Sequence, residues 1–125
     1  MATNWETLMK NSPVEAIGAF LQNQLEPHVV KAEDLQAGLE RAQQSNNEFE
    51  IKTHQAQLAA TDVYIKRKTA KAMRTALPYV PQGEERAALQ AESAELRTEA
   101  RRILRETVRP LVEELRNQQA ESVDQ

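Results

Sequence analysis

The chain has 125 residues, which fits one domain, and carries 16 Lys and Arg against 19 Asp and Glu for a net charge of −3. Acids and bases are interspersed, so composition alone calls for neither a nucleic-acid nor a membrane partner, and the lack of cysteine excludes disulfides and thiolate chemistry. Hydrophobic residues make up 40% of the chain but aromatic ones only 4%, so alanine and leucine supply much of the apolar surface and suit a narrow helix–helix seam better than a wide core.

Residues 1–12 form an N-terminal amphipathic segment, with Trp5, Leu8 and Met9 at i, i+3 and i+4. It reads either as cover for the base of the first helix or as an anchor for a partner groove. No basic region followed by an apolar one suggests a signal peptide, and no run approaches the ~20 apolar residues that span a bilayer. A cytoplasmic protein is expected, with the nucleus as an alternative. Ser12-Pro13-Val14-Glu15 then combines a Ser N-cap, Pro at the first helical position and Glu at N3. This predicts a helix over 13–25, with Val14, Ile17, Leu21 and Leu25 on one face and Phe20 beside them. Pro27 ends it, because proline removes a donor and restricts the residue before it. His28 reads as a junction residue of no special role.

A second helix is expected over 31–77. The 3-4 spacing Leu35, Leu39, Ala42, Asn46, Phe49, Thr53, Ala56, Ala60, Val63, Arg67, Ala70, Arg74 and Leu77 runs through it without a slip. Such a helix is about 70 Å long. Ser45 and Glu48 could close a second capping box and break it, but the unbroken phase argues for continuity through Ser45-Asn46-Asn47. Residues 78–83, with two prolines and a glycine, form a turn. The third helix, 84–117, carries the seam Leu89, Ser93, Leu96, Ala100, Leu104, Val108, Leu111 and Leu115. Its run of four-residue steps is a stutter, and Pro110 predicts a kink near 106–110. Residues 118–125 are expected to fray.

The predicted fold is all-α: an elongated, coiled-coil-like antiparallel hairpin with the shorter N-terminal helix folded on its open end. Charge supports the hairpin. Residues 62–77 carry a net +4 and would fold back opposite residues 84–99, which carry −3.

The candidate chemistry is sparse. Glu50 and His54 stand at i, i+4, but a di-iron bundle needs a Glu-x-x-His pair on each of two helices and two further glutamates, and that set is absent. The serines read as caps, seam or tail residues rather than nucleophiles. The three glycines are isolated, so no phosphate loop is present. No catalytic, cofactor-binding or metal-ligating residue is expected. Lys66, Arg67, Lys68, Lys71 and Arg74 could contact phosphates or signal nuclear import; the competing reading is that they favour the last turns of a helix and face an acidic neighbour. Pro78 and Pro81 match the PxxP spacing, which is common in turns. Ile51, Leu58 and Ile65 form a second apolar stripe on the long helix, away from its seam. The expected function is therefore non-enzymatic: a structural or adaptor protein that assembles with itself, at least as a dimer, or with a larger protein complex. The alternatives are a nucleic-acid-associated protein working through residues 66–74, and a small helical-bundle enzyme or metal carrier.

Overall fold

The structure, a computed structural model, describes residues 11–124, with side chains to Ala120. Trp5, Leu8 and Met9 lie outside the described residues. The fold is all-α. Helix α1 spans Pro13–Gln44, α2 spans Glu48–Ala76, α3 spans Glu84–Ile103 and α4 spans Arg109–Asp124. A π-helical turn, Leu104–Val108, joins α3 to α4 as one rod, and a 3₁₀ turn, Leu77–Tyr79, follows α2.

Two boundaries correct the sequence reading. The first helix does not stop at 25. It continues past Pro27 to Gln44, so the expected junction before residue 31 is helical. Extending the seam backwards from Leu35 explains this, because Leu21, Leu25, His28, Ala32, Leu35, Leu39 and Ala42 alternate steps of four and three through the proline. Pro27 leaves the Asn23 carbonyl without its helical donor, but both residues are exposed, where water can serve. Packing in phase outweighs one missing hydrogen bond.

The second correction is the break of the expected 31–77 helix at residues 45–47. Asn46 takes the left-handed conformation at φ 54°. Its N–H donates to the Gln43 carbonyl at 3.3 Å and that of Asn47 to the Ala42 carbonyl at 3.2 Å, which together make a Schellman C-cap. Asn47 then caps α2, accepting at its side chain from the Glu50 N–H at 3.2 Å. Ser45 does not close a box with Glu48; its hydroxyl donates back to the Arg41 and Ala42 carbonyls. Ser12 likewise makes no side-chain cap, and only its carbonyl accepts from Ala16. The unbroken spacing misled because the turn happens to preserve the count. Phe49, counted as seam, is 43% exposed.

The expected antiparallel hairpin of the last two helices is present, and a second one precedes it. Gly38 meets His54, His28 stacks on Tyr64, and Ile17 packs with Met73, so α1 descends as α2 climbs. Ser93 bonds to Ala70, Ala100 packs with Val63, and Lys52 pairs with Glu114, so the α3–α4 rod also runs antiparallel to α2. Helix α2 is the middle of the molecule. The other two rods pack along it and make little backbone contact with each other.

Small residues allow the close approach. Ala56, Ala70, Ala76 and Ala100 are buried, and buried Ser93 donates its hydroxyl to the Ala70 carbonyl at 3.3 Å. Pro110 has no N–H for the Glu106 carbonyl. The backbone widens just before it, and the Arg109 N–H bonds to Leu104, five residues back, as a π turn. The four-residue steps of the seam mark this widened turn. The tail expected to fray from 118 is helical to Asp124.

Candidate functional site

Among the described residues two concavities open on α2 beside its partners, and they differ in chemistry. Nine residues are two and a half helical turns, so Leu58 and Arg67, or Ile65 and Arg74, point in opposite directions.

On one side an open groove of about 700 Å³ runs over α2 between α1 and the end of the third rod. Gln55, Leu58, Ala59, Asp62 and Ile65 of α2 line it, with Ala32 of α1 on one wall. Pro110, Leu111 and Glu114 of α4, with Glu106 and Thr107 of the π turn, form the other wall. Leu58 and Ile65, two residues of the stripe singled out from the sequence, are half-buried in it. Ile51, the third, is also half-buried but is not part of the lining. The reason these side chains are not simply open to water is the length of α1: 32 residues instead of the expected 13. The groove's charged lining is acidic only, Asp62, Glu106 and Glu114. Their cations stand outside it: Lys66 on Asp62 at 2.8 Å, Lys52 on Glu114 at 3.5 Å, and Arg102 and Arg105 on Glu106 at 3.6 Å. The pairs on Glu106 are exposed and individually weak, whereas Lys66–Asp62 is part-buried.

On the opposite side a concavity of about 390 Å³ between α2 and α3 is lined by Arg67, Lys68, Lys71, Arg74, Arg97 and Arg101. The sequence reading placed acids of 84–99 opposite this stretch. Helix α3 instead turns Arg97 and Arg101 towards it, while Glu99 pairs with Arg102. Lys66 leaves the group for Asp62 on the groove side. Arg97 and Arg101 were legible only as an i, i+4 basic pair on α3, whose rotational setting the sequence does not give.

The remaining candidates resolve into structure. The His54 Nδ1–H donates to the Glu50 backbone carbonyl at 2.7 Å. Its ring lies over Gly38, where an added Cβ would stand 2.5 Å from Nε2. His28, expected at a junction, is inside α1 with its ring 4.3 Å from that of Tyr64, and Lys68 lies 5.5 Å from the same Tyr64 ring. Pro78 belongs to the 3₁₀ turn after α2, and Pro81 follows Val80, which is buried. Among the described residues no group of three or more His, Asp or Glu is arranged to hold a metal ion, and no helix is long and apolar enough to cross a membrane. Comparison with known proteins finds no matching family model, no matching curated protein and no matching solved structure.

Proposed function

We propose that this chain is a non-enzymatic helical adaptor that binds a protein partner through the groove over α2. The observation that carries the reading is the pairing of Leu58 and Ile65 on the groove floor with walls from α1 and α4, an arrangement resembling a four-helix bundle with one position open. The lining runs from Gln55 to Ile65, about 15 Å or three helical turns, the footprint of one amphipathic helix laid into a groove.

The rim selects the occupant. A two-fold contact between two copies would set Asp62, Glu106 and Glu114 against the same carboxylates, and like charges facing each other at an interface disfavour it. A partner helix with an apolar stripe flanked by Lys and Arg meets both the floor and the rim. Of the two partners expected from the sequence, a second copy or a different protein, the acidic rim favours the different protein.

A designed three-turn peptide with leucines on one face and flanking lysines tests this. Its titration by calorimetry is expected to show one-to-one binding that Leu58→Asp weakens tenfold or more, a loss of about 1.4 kcal/mol. The same peptide with glutamates for its lysines is expected to bind less well. Equal binding of both peptides would remove the role of the rim, and unchanged affinity in Leu58→Asp would remove the groove itself. Sedimentation of the chain alone is expected to show a monomer; a dimer dispersed by Leu58→Asp would return the occupant to a second copy.

A further inference from the structure

The cationic concavity on the other side of α2 has no part in helix binding, and its composition is one-sided. Among the described residues six Lys and Arg side chains line it and no carboxylate does. None of the six forms an ion pair among the described residues, although carboxylates elsewhere on α3 and the π turn do. Bringing like charges together across a helix pair costs stability in the free chain, and here two helices contribute to the same cluster. A solvated basic face needs no such convergence: Arg97 and Arg101 on α3 converge with the row on α2.

We propose that this face binds the phosphate backbone of double-stranded nucleic acid, without reading its sequence. On α2, Arg67, Lys71 and Arg74 form a row whose rise is about 10 Å. A nucleic-acid strand carries one phosphate per ~3.4 Å of axis, so the row spans about three phosphate steps. Arg97 and Arg101, one turn apart on α3, form a second row beside the first. Four of the six cations are arginines, whose planar forks hold phosphate oxygens two at a time. No aromatic side chain lines the concavity, so nothing there stacks on unpaired bases or favours a single strand. The Tyr64 ring, 5.5 Å from Lys68, is stacked by His28. Backbone contact without base contact gives affinity that is strongly salt-dependent and indifferent to sequence.

Fluorescence anisotropy with a short labelled DNA duplex tests the proposal. Six phosphate contacts predict a slope of log affinity against log salt of about −5, a loss of roughly a thousandfold between 50 and 200 mM salt. Two duplexes of unrelated sequence are expected to bind equally. The double variant Arg97→Glu, Arg101→Glu is expected to flatten the slope by about 2 and to weaken binding at all salt concentrations. It is expected to keep the fold, since among the described residues neither side chain has a carboxylate partner to lose, and its melting temperature serves as the control. Absence of duplex binding at low salt overturns the proposal, as does a slope that the α3 variant leaves unchanged. Displacement of the duplex by polyglutamate at equal charge concentration would assign the face to acidic protein instead. Because Leu58→Asp lies on the opposite side of α2, it is expected to leave duplex affinity unchanged, so failure here and failure of the helix groove are read separately.

Discussion

Gly38 and His54 show how one missing methyl fixes a helix crossing. A glycine inside a helix costs ~0.5–1 kcal/mol relative to alanine, and α1 retains one where the imidazole of α2 lies against its backbone. Gly38→Ala gains that propensity but must displace a ring held at Nδ1 by the Glu50 carbonyl. The substitution is expected to destabilise the chain by about 1–3 kcal/mol as an overpacked site. In a His54→Ala background it is expected to stabilise instead, by about 0.5–1 kcal/mol. Denaturant unfolding of the four members of the cycle checks both signs, and the same sign in both backgrounds would mean that the contact does not set the spacing. At the turn, Asn46→Ala is expected to cost about 1–2 kcal/mol, because alanine lacks the local hydrogen bonding that helps asparagine in the left-handed region. Asn46→Gly is expected to be neutral or better, again by denaturant midpoint.

At the scale of the elements, the close seam between α2 and α3 rests on Ala70, Ser93 and Ala100. Ala70→Leu is expected to destabilise by about 1–3 kcal/mol or more through overpacking, seen as a lowered thermal midpoint, whereas Ala87→Leu on the exposed face of α3 should be near neutral. Much of this level was legible in the sequence: the all-α class, the turn at 78–83, the antiparallel hairpin that follows α2, and the departure from regular helix before Pro110. Two features were not. Pro27 outweighed the continuing seam in the reading, although an exposed proline in a long packed helix loses only one carbonyl's partner. At 45–47 the reverse error arose. Periodicity describes which side of a helix is apolar, and a three-residue turn that happens to keep the count leaves no mark in it. The polar run Ser45-Asn46-Asn47 was the better signal, because asparagine suits both the left-handed position that ends one helix and the cap that starts the next.

Among the described residues α1 and the α3–α4 rod both pack along the central helix, and the two concavities left beside it are unlike, one apolar with an acidic rim and one cationic. Leu58 and Ile65 were recognisable as a stripe separate from the seam, since heptad spacing alone places them. The cationic face was only half visible, since sequence distance says nothing about which way Arg97 and Arg101 turn. That geometry makes the separation of the two faces the central claim, and an NMR titration of one isotope-labelled sample tests it directly. Addition of the lysine-flanked helical peptide is expected to shift the amide resonances of Leu58, Asp62, Ile65 and Leu111. Addition of the duplex is expected to shift those of Lys71, Arg74, Arg97 and Arg101. Perturbations that overlap on one set of residues, or a peptide that leaves Leu58 and Ile65 unmoved at saturation, would contradict the account.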